Sequence, residues 1–151
     1  MQQKRKIVPP VYLVLTMGAV YAADRWLPIV QWVPDPVSRP VTLLLLALGL
    51  LLIGHSAWSF SKADTGIVPF DPATSLVTGG FYRFTRNPMY LGMLLILLGM
   101  AFKMGSLGGF LPVPLFVWII NRNFIRGEEE FLEEAFGDSY LAYKARVRRW
   151  I

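Results

Sequence analysis

Cysteine is absent from this chain and histidine occurs once, at position 55. Without cysteine there is no disulfide, thiolate zinc site, iron–sulfur cluster or thiol nucleophile. A lone histidine excludes bis-histidine haem ligation and histidine-cluster metal sites, so no metal is expected. Charge is also scarce. Charged residues make up 17% of the 151 positions and hydrophobic residues 54%, against about 25% and roughly 45–50% in soluble domains. Mean hydropathy is +0.46. One small core cannot hide that much apolar surface, so the expected solvent is a bilayer. No P-loop, strand-linked GxGxxG or HExxH motif is present. The net charge of +5 suggests lipid headgroups rather than nucleic acid, because the basic residues flank apolar runs.

Those runs predict an all-α integral membrane protein with four transmembrane helices in one domain, 1–151. The spans fall at about 7–23, where Pro9 and Pro10 interrupt the start, and then at 40–60, 89–104 and 107–120. The last two, separated by Gly105 and Ser106, read as a short hairpin. Ala23 to Arg39 reads as a plain outer connection. MQQKRK, an apolar run and the small residues of YAAD imitate a secretory signal, but the two prolines and the further spans favour a first transmembrane helix. Orientation follows the basic residues. Lys4, Arg5, Lys6, Lys62, Arg83, Arg86, Arg122, Arg126, Lys144, Arg146, Arg148 and Arg149, 12 of 15, lie on the side of the termini; Arg25, Arg39 and Lys103 lie on the other. That places both termini and loop 61–88 in the cytoplasm. No acidic residue lies within a span, which disfavours proton-coupled transport.

Polar candidates collect on the cytoplasmic side. Loop 61–88 carries Asp64, Gly66, Pro69, Asp71, Pro72 and the Gly79-Gly80 turn, then FYRFTRNPMYLG. Pro88 suits the first helical turn and Asn87 can cap it. Tyr82, Arg83, Arg86 and Tyr90 crowd the same helix mouth, an anion-attracting position. Gly92 and Gly99 share one face of the third span, where helix packing is the commoner use and close approach of a ligand the rarer one. His55 reads as a hydrogen-bonded helix contact.

Residues 123–136 predict a cytoplasmic amphipathic helix ended by Gly137. On its wheel Phe124, Phe131, Leu132 and Ala135 form a stripe with Glu128 at the centre and Glu129 at the border, while Glu130, Glu133 and Glu134 face away. A carboxylate at Glu128 must be paired or ligated there; a structural ion pair and a ligand contact both satisfy that. A final amphipathic helix, 139–151, starts at Asp138 or Ser139. Tyr140, Tyr143, Val147 and Trp150 line one side, Trp150 as an interfacial anchor, and its basic end is suited to lipid headgroups.

GFYRFTRNPMYLG (80–92), a short apolar hairpin and EEEFLEEAFGDSYLAYKARVRRWI (128–151) together resemble the isoprenylcysteine carboxyl methyltransferase family, which is related to the membrane phospholipid N-methyltransferases. The matching positions are Arg86, Asn87, Pro88, Tyr90 and Gly92; Glu128, Glu129 and Leu132; Phe136, Gly137, Tyr140 and Tyr143; and Arg146 to Arg149. Asn87 stands where eukaryotic members carry histidine. The first 60 residues add only hydrophobicity, so the extra helices and substrate tunnel of larger members do not carry over.

The resemblance implies a membrane methyltransferase using S-adenosyl-L-methionine, with a cytoplasmic cofactor pocket and an opening to the lipid for a lipophilic or lipid-modified acceptor. Tyr82, Arg86, Asn87, Pro88, Tyr90, Gly92, Glu128, Tyr140 and Tyr143 are then the cofactor-binding candidates. Glu128, Glu129 and Arg86 are the catalytic ones. A buried Glu128 suits the cofactor's ammonium, and Arg86 or the N–H groups near Pro88 suit its carboxylate. Aromatic rings suit the adenine or the sulfonium. An amine or thiol acceptor needs a base, for which Glu129 is the candidate. Two other classes remain open: a membrane NADPH-dependent reductase of related architecture, and a non-enzymatic adaptor or transporter.

Overall fold

The computed structural model describes residues 8–64 and 74–151, and among them no β-strand occurs. Lys4, Arg5 and Lys6, and the loop residues Gly66, Pro69, Asp71 and Pro72, lie outside the described residues. The elements are α1 (Pro9–Trp26), α2 (Asp35–Lys62), a 3₁₀ turn (Gly80–Arg83), α3 (Pro88–Met104), the one-turn α4 (Leu107–Phe110), α5 (Pro112–Ile120), a π-helical turn (Asn121–Ile125), α6 (Arg126–Phe136) and α7 (Asp138–Arg146).

Proline starts helices here. Pro9 and Pro10 open α1 instead of interrupting a span, and Pro88 opens α3; a ring at the first helical position loses no hydrogen bond and presets φ. α2 begins at Asp35, five residues before the expected Pro40, and Pro40 lies inside it. Part of the supposed outer connection is therefore helix. Among the described residues only α2 is both long and apolar enough to cross a membrane by length and composition, α3 being shorter. Its 28 residues make a rod of about 42 Å.

α2 and α3 form the most extensive helix pair. They meet where a Cβ on Gly49 or Gly92 would lie 2.7 Å from the other glycine's carbonyl oxygen, and Thr42 Oγ1 donates to Gly99 O at 3.0 Å. The core between α1, α3 and α5 contains Val20, Leu97, Ala101, Phe116 and Ile120. Leu43, Leu44, Leu50 and Leu51 of α2, and Val14 and Leu15 of α1, stay exposed. Such an apolar belt suits lipid.

At one end α3 stops at Gly105 (φ 84), and Ser106 caps α4 by accepting from Gly109 N. The 27–34 connection closes over this tip: Trp32 N donates to Gly105 O at 3.1 Å and Leu107 N to Val30 O at 2.9 Å.

Beyond Leu107 the expected break between a span and a separate cytoplasmic helix does not occur. Leu111, Ile120 and Ile125 keep right-handed helical dihedrals, so the hairpin's second arm runs on through the π turn into α6. The π turn carries one extra residue, and the inward line moves with it. Ile125 and Glu129 are buried, Leu132 and Phe136 half-buried, Glu128 half-buried and Ala135 exposed. Glu129, not Glu128, sits at the centre. α6 ends on Gly137 (φ 50), and α7 turns back from it. The last helix is shorter than expected, ending at Arg146, with Val147 extended (φ −118, ψ 130).

Candidate active site

The N-terminus of α3 is where the ends of the chain's cytoplasmic-candidate elements converge. Arg86 Nη2 donates to Glu129 Oε1 at 2.7 Å, and Arg86 Nη1 donates to the carbonyls of Lys144 (3.1 Å) and Val147 (2.6 Å) at the end of α7. Arg149 completes the pairing, with Nε to Glu129 Oε1 at 2.9 Å and Nη2 to Oε2 at 2.6 Å. Arg86 and Glu129 side chains are each 9% exposed. Arg86 therefore spends Nη1 and Nη2 inside the protein, and its buried Nε has no partner among the described residues. The expectation that it presents its charge to a cofactor carboxylate meets a guanidinium already engaged.

Asn87 does not cap α3. Its side-chain Nδ2 donates to Arg149 O at 2.9 Å, and Arg86 N donates to Arg148 O at 2.9 Å. These bonds hold Arg148 and Arg149 against the helix mouth, just beyond the point where the final helix ends at Arg146. Trp150, expected as an interfacial anchor, is half-buried: it packs against the core and donates Nε1 to Asn121 Oδ1 at 3.2 Å.

Beside this cluster, Tyr90 Oη donates to Glu128 Oε1 at 2.6 Å. Among the described residues Oε2 of Glu128 receives no hydrogen bond, and the side chain keeps some exposure. Burial lifts the Glu128 carboxyl above the ordinary range, with the Tyr90 bond pulling against it and Glu129 pushing with it. Burial also pushes Glu129 upward, but the hydrogen bonds from Arg149 and Arg86 outweigh it and hold that carboxyl low. Two adjacent carboxyls are thus driven in opposite directions.

Tyr82 is buried at the 3₁₀ turn and feels the Glu128 charge; burial first, then neighbouring groups, raises its phenol. Tyr140 and Tyr143 prove to be core. Both are under 5% exposed, Tyr143 Oη donates to Tyr82 O at 2.7 Å, and burial pushes Tyr140 up to about 12. Pro88 is buried at the helix start and Gly92 faces Gly49, so helix packing accounts for both. Glu133 pairs with Lys144 at the surface, and Glu130 and Glu134 are exposed. His55 bonds Ser59 and stacks edge-on with Phe81, as a helix contact should. The structure thus joins Tyr90 to Glu128 and Arg86 to Glu129, with Asn87 bonded to the tail and Tyr82 packed in the neighbouring cluster of Tyr140 and Tyr143. Arg149 is the addition that sequence reading missed, because nothing in the run of basic residues separates it from Arg146 and Arg148.

A helical membrane fold with a carboxylate–tyrosine–arginine site at one mouth is the class these features define. The family model for phospholipid methyltransferases matches residues 37–139, and the chain belongs to that family. A protein-S-isoprenylcysteine O-methyltransferase of Schizosaccharomyces pombe is 36% identical over 108 residues, 67% of this chain and 46% of that protein. A Haemophilus influenzae protein of unassigned function is 46% identical over 63 residues, 42% of this chain and all of that protein. The solved structure of a eukaryotic intramembrane Ras methyltransferase, an isoprenylcysteine carboxyl methyltransferase, superposes with a TM-score of 0.62 at 20% identity, over 100% of this chain and 53% of that one. The chain spans about half the length of both methyltransferases. The resemblance to isoprenylcysteine carboxyl methyltransferases read from residues 80–151 is borne out.

Proposed function

We propose that the chain is an integral membrane S-adenosyl-L-methionine-dependent methyltransferase acting on a lipophilic acceptor, either a prenylcysteine-type carboxylate or a lipid headgroup. The observation that carries this is Glu128: a half-buried carboxylate, oriented through one oxygen by Tyr90, with the other oxygen accepting no hydrogen bond among the described residues. That donor set fits the cofactor, because a fixed carboxylate with a free oxygen suits an ammonium and the rings of Tyr82 and Tyr90 suit a sulfonium or an adenine. The cofactor, when bound, supplies an electrophilic methyl group.

The chain's own residues then hold and orient. Glu128 binds; Tyr90 fixes its rotamer; Arg86, Asn87 and Pro88 build the mouth of α3. Methyl transfer to a carboxylate needs no base, and orientation with exclusion of water provides much of the rate. Glu129, held by three hydrogen bonds and pushed low, is a poor proton acceptor, so the base role expected of it is not retained. The four-crossing topology, α1, α2, α3 and α4–α5 with termini and site cytoplasmic, is supported by the basic residues. Arg25 and Lys103 close α1 and α3 at the tip end, while Arg86, Arg126, Lys144 and Arg149 gather at the other.

Purified full chain in nanodiscs tests the reading. Calorimetry should detect S-adenosylhomocysteine, and labelled cofactor should methylate a member of a panel of prenylcysteines, lipid extracts and thiols. NADPH binding in its place would indicate the reductase class, and binding of neither would indicate an adaptor or transporter.

A further inference from the structure

Residues 147–151 leave the helix and cross the base of α6, fastened at three points. Thr85, Arg86 and Asn87 hold the backbone of Arg148 and Arg149. The Arg149 guanidinium holds Glu129 in the first turn of α6. The Trp150 indole holds Asn121, the first residue of the π turn. The last two fastenings bracket the π turn between α5 and α6.

A π turn is rarer than an α turn and recurs at functional sites because it inserts a residue and rotates everything after it. Removing that insertion turns α6 by about 100° relative to α5. Glu128 directly precedes Glu129 on this helix, so such a turn takes Glu128 away from Tyr90. We propose that the C-terminal segment is a brace that maintains the π turn, and that Arg149 is its positioning residue, clamping Glu129 so that Glu128 meets Tyr90. Arg149 is suited to this and lysine is not, because its planar fork binds both carboxylate oxygens at once. The importance of Glu128 rests on the function proposed above; the brace itself does not.

The absence of native cysteine makes the rotation of α6 measurable. Ala135→Cys is exposed and Leu132→Cys is covered by the tyrosine cluster of Tyr82, Tyr140 and Tyr143, so thiol labelling of the full chain in nanodiscs should be faster at 135. Combining each with Arg149→Ala should shrink the 135-to-132 rate ratio at least about tenfold, the equivalent of about 1.4 kcal/mol. Arg149→Lys should recover only part of the ratio, and Arg148→Ala, on an exposed side chain, should leave it intact. Should Arg149→Ala fail to fold, Trp150→Phe keeps the ring, removes the hydrogen bond and should move the ratio the same way. An unchanged ratio in Arg149→Ala, or in Trp150→Phe where the former is unfolded, overturns the brace even if methyl transfer falls. A changed ratio in a chain that binds no S-adenosylhomocysteine supports the brace and overturns the proposed function.

Discussion

Arg86 and Glu129, 43 positions apart in sequence, share a 2.7 Å charge-assisted hydrogen bond in the protein interior, and through it the entrance of α3 is tied to the base of α6. The same guanidinium caps the carbonyls at the end of α7, so a single side chain joins three helices. Replacing it with alanine leaves Glu129 with Arg149 alone and strands two carbonyls. Breaking a buried pair by removing one partner costs about 3 kcal/mol or more. Arg86→Ala should therefore lower the unfolding free energy by roughly that amount in detergent, with Arg148→Ala close to wild type, as surface substitutions usually are. If Arg86→Ala instead weakens S-adenosylhomocysteine binding at full stability, the arginine is a ligand contact after all.

The crossing of α2 and α3 yields a second expectation. A methyl group on Gly92 would sit 2.7 Å from Gly49 O and 2.8 Å from Ile53 Cγ1, whereas one on Gly54 meets nothing within 4 Å. Gly92→Ala should cost about 1–3 kcal/mol through overpacking. Gly54→Ala should be neutral or stabilising by up to about 1 kcal/mol, since glycine is a poor helix former. Thermal unfolding of both, with S-adenosylhomocysteine affinity measured on the folded fraction, separates packing from binding at Gly92. Unaltered stability with lost affinity would restore it to the cofactor site.

Much of this arrangement was legible in the residues themselves. Pro88, Gly105 and Gly137 mark helix ends because each imposes or permits a backbone angle that its neighbours do not. The pairing of an Arg-Asn-Pro-x-Tyr element with a Glu-Glu pair was readable as a resemblance. The π turn was not, since NRNFI contains nothing that forbids an α-helix, and the wheel drawn from Phe124 inherited the error and centred Glu128 in place of Glu129. The tail was misread for a related reason. RVRRWI continues a helical pattern, and only bonds from Thr85, Arg86 and Asn87, more than 60 residues away, draw it out. Local periodicity carries no trace of such competition.

Topology is testable with the same cysteine-free background. Val30 lies in the connection over the hairpin tip, 51% exposed, and Ser139 lies in the first turn of α7 at the opposite end. In intact cells a membrane-impermeant maleimide should label Val30→Cys and spare Ser139→Cys until the membrane is permeabilised. The reverse pattern would invert the orientation argued from the basic residues and move the site out of the cytoplasm.

The two adjacent carboxyls make the most discriminating case, because their shifts predict opposite pH dependences. Glu129 is held below its ordinary value of 4.5, so its contribution to stability is complete above that pH and is lost as pH falls through the lowered value. Glu128 is raised above 4.5, so its contribution is present below that pH and is lost as pH rises through the raised value. Melting temperature followed from about pH 3 to 9 should therefore show both losses in the wild type. Glu128→Gln should abolish the loss seen as pH rises and Glu129→Gln the one seen as pH falls, the latter from a lower starting stability because Arg86 and Arg149 lose their counter-charge. Glu130→Gln and Glu134→Gln should parallel the wild type. Glu128→Gln should also weaken S-adenosylhomocysteine binding at least about tenfold, the usual range for one hydrogen bond to a charged group, while remaining folded. A Glu128→Gln protein with the wild-type pH profile and wild-type affinity would remove this carboxylate from the site and leave the tyrosine–carboxylate contact a matter of packing alone.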